Sequence, residues 1–207
     1  MRSHTRRPRV AVTLGDAAGI GPELIAKLVS NSENLRKADI FILADKSEVS
    51  QAIADAGHVN VPITQHAGPE GVCILDDGTA PADQGQRAEV SEASGARCIY
   101  QLRRALQMHE AGEIDAIVFG PLNKSSLKKA GMTQEDELRW FADQLDFKGT
   151  TSEINIAGSL WTGRVTSHIS IGEVAEKVTK ERTLKAIELV NQLRFVKQTR
   201  CPPSTAF

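Results

Sequence analysis

The chain has 207 residues, a formal net charge of −1, 41% hydrophobic residues and 25% charged residues. That length suffices for one or two domains with a sizeable core. The near-zero net charge excludes a bulk field that would draw the chain to nucleic acid or an anionic membrane.

The cluster Arg2, Arg6, Arg7 and Arg9 reads as a solvated N-terminal segment, with a flexible tail over residues 1–8. No apolar signal core follows it and no run reaches transmembrane length, so no membrane partner is expected. Cys73, Cys98 and Cys201 are far apart and form no C-x-x-C pair, the pattern of reduced thiols in a cytoplasmic protein.

Val10-Ala11-Val12 is an apolar run that leads into Thr13-Leu14-Gly15-Asp16-Ala17-Ala18-Gly19-Ile20-Gly21-Pro22-Glu23. Gly15, Gly19 and Gly21 permit a sharp turn and a close backbone approach. Pro22 and Glu23 suit the first turn of a helix. The segment predicts strand, tight loop and helix start, the place where open α/β sheets bind ligands. Its glycine spacing matches neither G-x-G-x-x-G nor a P-loop. Asp16 would repel a phosphate on the loop and suits a hydroxyl, a ribose, an amide or a metal-associated water. Packing of a helix onto a strand is the plainer alternative.

Further along, Asp39–Ala44 predicts a second, fully buried strand. Asp45 caps the next helix with Glu48 in the capping-box position. Val49, Ala52, Ile53 and Ala56 make the inward stripe of that helix, and Gly57 ends it. Val72–Leu75 reads as a short strand and 76–86 as a loop. Ser91–Ala111 is a long helix with Ile99, Leu102 and Leu106 in the core. Asp115–Gly120 is another buried strand.

Beyond it, Pro121-Leu122-Asn123-Lys124 leaves the strand's carboxyl end, where Lys124 can face a carboxylate or phosphate, or simply be solvated. Asn123 either binds a substrate hydroxyl or caps the short helix 125–129 that Gly131 closes. Glu135-Asp136-Glu137 opens a helix marked by Leu138, Phe141, Ala142 and Leu145, with Thr133 or Asp136 as its cap. Residues 154–156 and 161–171 read as strands. Within the latter, His168 shares a face with Thr166 and Ser170, as a metal ligand, a proton shuttle or a structural histidine. His4, His58, His66 and His109 lack metal-ligand spacing to it. A helix over 179–196 follows, then an irregular tail at 199–207. The division is a first α/β lobe over 9–131 and the start of a second over 132–198. The alternation predicts an α/β fold with a parallel or mixed sheet.

Three segments together resemble the 4-hydroxythreonine-4-phosphate dehydrogenase family of pyridoxine biosynthesis and its relatives acting on phosphorylated sugar acids. They are Thr13–Glu23, Asp115–Lys124 with Ala130-Gly131, and Val165–Ile171. The first is similar to T-x-G-D-P-A-G-I-G-P-E, with Ala17 in place of proline. The resemblance implies a two-lobed α/β/α sandwich like isocitrate and isopropylmalate dehydrogenases, and a homodimer with the active site between lobes. It implies oxidation of a secondary alcohol by NAD, assisted by a divalent metal (Zn, Mg, Co or Mn). His168 matches a metal-ligand histidine, Lys124 and Asp16 catalytic positions, and Gly15, Gly19 and Gly21 the N-terminal loop. The loop after the first strand and the imidazole at 168 are expected to share one crevice.

Glu135 and Asp136 stand where biosynthetic members carry a substrate-contacting His-Thr pair, which disfavours a phosphate there. The family's Asn-Pro-His segment and a later histidine have no counterpart before Phe207, so the expectation is a fold incomplete at its C-terminus, with a frameshift as one alternative origin of the 199–207 tail. The alternative reading is a non-catalytic α/β scaffold or a small-anion-binding remnant.

Overall fold

A computed structural model of the chain describes residues 6–200, with side chains through Leu193. The expectations for Arg2, His4, Cys201 and the tail past Arg200 lie outside the described residues. The chain divides into two compact units, Met1–Thr133 and Gln134–Phe207.

The first unit is built on β1 (Arg9–Thr13), β2 (Asp39–Leu43), β3 (Cys73–Ile74) and β4 (Ala116–Phe119), all parallel in the order β3-β2-β1-β4. Helices α1 (Gly21–Ser30), α2 (Ser32–Lys37) and α3 (Lys46–Asp55) connect the early strands. Each begins as its residues dictate. Pro22 sits in the first turn of α1, and Asn31 Oδ1 accepts the Glu33 N–H at 2.9 Å to cap α2. At α3 the Asp45 N–H donates to Glu48 Oε2 at 2.9 Å, half of a capping box. The long helix α4 (Glu92–Glu110) starts at Ser91, whose Oγ accepts the Ser94 N–H. The short α5 (Lys124–Lys129) follows β4.

Alternation along the strands gives the sheet two buried faces. Val12 and Leu14 pack with Ile25, Val29, Ile42 and Val49 on one side. Ala11 and Leu43 pack with Ala105 of α4 and with Ile114 on the other. Between α3 and α4 lies a buried ionic cluster. Arg97, 1% exposed, donates from Nε to Glu48 Oε1 (2.7 Å) and from Nη2 to Glu48 Oε2 and Asp45 Oδ2 (2.6 Å each). Its Nη1 also reaches the Pro81 carbonyl, which ties down the 76–90 loop.

In the second unit, α6 (Glu137–Gln144) precedes an antiparallel hairpin of β5 (Asn155–Ala157) and β6 (Leu160–Thr162). A 3-10 turn (Ile171–Glu173) runs into α7 (Val174–Lys177), and α8 (Lys180–Arg200) completes the described chain.

Four expectations are corrected. The strand after Asp115 is not buried: β4 lies at the sheet's edge with β1 its one ladder partner among the described residues, and Val118 and Phe119 are each 40% exposed. The 161–171 strand ends at Thr162, because the ladder with β5 ends there, so His168 does not share a strand face with Thr166 and Ser170. In α6 the buried side chain is Trp140, while Leu145 is exposed. The final helix also extends through Arg200, past the expected start of the irregular tail.

Asp115 pins β4 to β1. Its Oδ2 accepts the Arg9 N–H at 2.8 Å and its Oδ1 accepts Arg6 Nη2 at 2.7 Å. The backbone hydrogen bond from Arg9, with the two guanidinium groups, lowers the carboxyl from 3.8 to about 2. A carboxyl more acidic when folded contributes stability that is complete above its ordinary 3.8 and lost as pH falls through about 2. Asp115→Asn is expected to flatten the acid limb of stability in that window, read by urea unfolding at stepped pH. An acid limb unchanged by the substitution would refute the assignment.

Candidate active site

The strand order fixes where the first unit can hold a ligand. The chain leaves β1 toward β2 on one side and returns as β4 on the other, so β1 and β4 flank a topological switch point. The loops leaving their carboxyl ends, Leu14–Ile20 and Gly120–Asn123, lie against each other. The Gly120 N–H donates to the Thr13 carbonyl at 3.0 Å and the Asp16 N–H to the Pro121 carbonyl at 2.9 Å.

Close backbone approach explains two of the three loop glycines, Gly15 across the seam and Gly21 within its own loop. Gly15 has φ +77° and its hydrogen points at the Gly120 and Pro121 carbonyls, where a Cβ would lie 2.5–2.6 Å from them. A Cβ on Gly21 would strike the Leu14 carbonyl, as would one on Gly120 across the seam. Gly19 is different: the nearest atom to a Cβ there is the Asp16 carbonyl oxygen at 3.5 Å, so it is not used for packing.

Asp16 is 5% exposed, and its Oδ1 accepts the Ala18 N–H at 2.9 Å. The carboxylate therefore braces its own turn. Its charge, after burial itself, helps push the Cys98 thiol up to about 12 and keeps that sulfur protonated. Asn123 takes the capping alternative: its Oδ1 accepts the Ser125 and Ser126 N–H groups at 3.0 and 3.1 Å. Lys124 begins α5 at the carboxyl end of β4 and is exposed. One group was missed from the sequence. The Thr13 hydroxyl, on a residue 1% exposed at the end of β1, has no hydrogen-bond partner among the described residues. Its place as first residue of the glycine-rich signature was the available signal.

The second unit gathers the other three candidates. His168 has φ +55°, a left-handed conformation uncommon for a side chain with Cβ. Its Nε2 lies 3.5 Å from Asp136 Oδ2 and its Nδ1 lies 3.9 Å from Glu135 Oε1. Asp136 is the cap of α6, accepting the Arg139 N–H on Oδ1 at 2.8 Å, which leaves Oδ2 toward the imidazole. Glu135 is half exposed and ion-paired with Arg139 one turn on.

Two ligands with bonds of about 2.1 Å to one tetrahedral ion stand roughly 3.4 Å apart, so His168 Nε2 and Asp136 Oδ2 are spaced as neighbouring donors. The donor types suit a divalent cation. Among the described residues no group of three or more His, Cys, Asp or Glu side chains gathers around a metal position.

The family model for the pyridoxal phosphate biosynthetic protein PdxA matches residues 29–200. The chain belongs to the PdxA family. A Pseudomonas aeruginosa relative whose name is that of a candidate 4-hydroxythreonine-4-phosphate dehydrogenase is 40% identical over 191 residues, 89% of this chain and 56% of that protein. A Bordetella bronchiseptica relative named D-threonate 4-phosphate dehydrogenase is 30% identical over 193 residues, 89% of this chain and 54% of its own length. This chain thus spans little more than half the length of the relatives it matches.

Solved structures agree on the fold. A 4-hydroxythreonine-4-phosphate dehydrogenase from Klebsiella pneumoniae has TM-score 0.77 at 23% identity, covering 97% of this chain and 61% of that one. One from Burkholderia phymatum has TM-score 0.75 at 24% identity, covering 88% and 57%. The chain shares with these PdxA structures an α/β fold with a mostly parallel sheet.

Two substitutions test the seam and its support. Gly15→Ala forces a Cβ against two carbonyls at positive φ and should cost roughly 1–3 kcal/mol in urea unfolding. A loss below 0.5 kcal/mol (about the scatter of surface substitutions) would show that the loops are not locked together. Arg97→Met leaves Glu48 buried without its partner and should cost about 3–5 kcal/mol, whereas Arg97→Met with Glu48→Leu should recover most of it. Equal losses in both variants would contradict the ion-pair account.

Proposed function

We propose that this protein is an NAD-dependent, metal-assisted dehydrogenase of a small phosphorylated hydroxy acid of the 4-hydroxythreonine-4-phosphate or D-threonate 4-phosphate type. The observation that carries the reading is the seam at the β1–β4 switch point. There the family's signature loop and the Lys124 loop are held backbone to backbone in a chain 40% identical to a relative bearing such a name. Kinship to the two-lobed isocitrate and isopropylmalate dehydrogenases, and a homodimeric state, belong to the same reading. Ile156, Leu160, Ile171 and Ile187, all more than half exposed on the second unit, support association with a second copy.

Each residue has a part. Lys124, on a helix held in place by Asn123, offers a cation to a substrate oxyanion or carboxylate. Asp16 keeps the Leu14–Ile20 loop in shape, and Gly19 leaves the backbone there open to close approach by the dinucleotide. His168, with Asp136 beside it, would hold the divalent ion, which lowers the pKa of the substrate hydroxyl when bound. NAD, when bound near the Leu14–Ile20 loop, would supply the hydride acceptor for oxidation of the substrate's carbinol to a ketone. Where a carboxylate lies β to that ketone, loss of CO2 follows.

The test is NADH fluorescence with a divalent metal and either phosphorylated hydroxy acid. Turnover is expected to fall at least a hundredfold in Lys124→Ala. In His168→Ala, Mn2+ binding followed by electron paramagnetic resonance should weaken at least tenfold. No NADH from either acid with any of Zn, Mg, Co or Mn, together with no NAD binding by calorimetry, would refute the reading.

A further inference from the structure

The second unit holds a cleft of about 380 Å³ whose cationic lining the dehydrogenase reading leaves without a role. It lies wholly within that unit, between the start of α6, residues 151–153, the 164–169 segment, the end of α7 and the first turn of α8. Its charge is lopsided. Arg139, Arg164, Lys177 and Arg182 line it against two carboxylates, Asp136 and Glu153.

The pairing within the cleft sharpens this imbalance. Arg164 is bound to Glu153, and Arg139 to Glu135. Asp136 spends one oxygen capping α6 and turns the other toward His168. Lys177 and Arg182 are left: among the described residues neither makes an ion pair within 4 Å, and both line the cleft from the stretch where α7 gives way to α8. The hydroxyls of Thr151 and Thr166 line it as well and can donate to an oxyanion. A guanidinium fork, an ammonium and hydroxyl donors around one space make a receptor for a tetrahedral oxyanion.

We propose that this cleft binds a phosphate group through Lys177 and Arg182. The site is built by this chain alone; Asp136, beside His168, borders it, while Lys177 and Arg182 take no part in the NAD and metal roles above. It also resolves an apparent conflict. Glu135 and Asp136 would repel a phosphate at their own position, while Lys177 and Arg182 attract one. The phosphate is either that of the phosphorylated hydroxy acid or a free inorganic phosphate, and both present the same dianion.

Titration of inorganic phosphate into the intact chain, followed by calorimetry at physiological salt, tests the proposal. Saturable binding is expected, and a Lys177→Gln/Arg182→Gln variant should weaken it at least tenfold. Both residues are exposed, so the variant should keep its circular dichroism and unfolding midpoint. A Lys148→Gln control, outside the cleft, should bind phosphate within twofold of the parent. In a second arm the phosphorylated hydroxy acid is titrated directly. A tenfold loss of its affinity in the double variant identifies the substrate's phosphate as the ligand, and loss for inorganic phosphate alone identifies the free ion. Absence of saturable phosphate binding in the parent, or equal binding by the double variant, overturns the proposal whether or not the chain reduces NAD.

Discussion

Backbone pressed against backbone, with no side chain between, is the constraint on which the first unit's candidate site rests. Where the loops after β1 and β4 meet, Gly15 and Gly120 leave room for carbonyl groups that any Cβ would strike. Two hydrogen bonds, from Gly120 to Thr13 and from Asp16 to Pro121, close the seam. Buried peptide groups must be paired, so bringing these loops together also satisfies donors that the ends of the strands would otherwise leave open. Lys124 and the signature loop are positioned by this contact, since both are carried by segments that it fixes.

Support for the seam comes from a charged group in an apolar setting. Arg97 is sealed between α3 and α4, yet its donors meet Glu48, Asp45 and the Pro81 carbonyl. Burial works against the cation, and the two carboxylates more than offset it, holding the guanidinium above its ordinary range. Glu48 serves twice, as capping-box partner of Asp45 and as ion-pair partner of Arg97. The irregular 76–90 loop thereby becomes a fixed wall, and the Ala88 N–H donates to the Ala18 carbonyl of the signature loop. Such a pair specifies one arrangement of helices more than it adds net stability, because desolvating both charges is costly.

The second unit is organised on different lines. Its hairpin is only two strands wide, and isolated hairpins of that size have little stability of their own. The unit carries several exposed apolar residues, with Ile171 at 93% exposure. Order there comes from ionic and capping contacts: Asp136 at the start of α6, Arg164 with Glu153, and Ser170 with Glu173 ahead of α7. The same economy that pairs most of these charges leaves Lys177 and Arg182 uncommitted. That contrast is the physical content of the phosphate cleft.

Local chemistry was legible without coordinates wherever a residue acts on its near neighbours. The capping box at Asp45 and Glu48, the cap at Asp136, the choice between two roles for Asn123, and the strand–loop–helix at Thr13–Glu23 all depend on residues a few positions apart. The signature also carried the family. Partners remote in the chain were not legible. Nothing in the spacing shows that Arg97 meets residues about fifty positions earlier, or that Gly15 faces Pro121. The alternating run 161–171 has strand chemistry, but a strand needs a neighbouring ladder, and the chain supplies one only as far as Thr162. Likewise Val118 and Phe119 have the composition of a buried strand and lie at an edge, because sheet order is set by topology. Sequence determined which segments could turn, cap and pair locally; tertiary structure decided which of them meet, since burial and long-range hydrogen bonds act through space and leave no period along the chain.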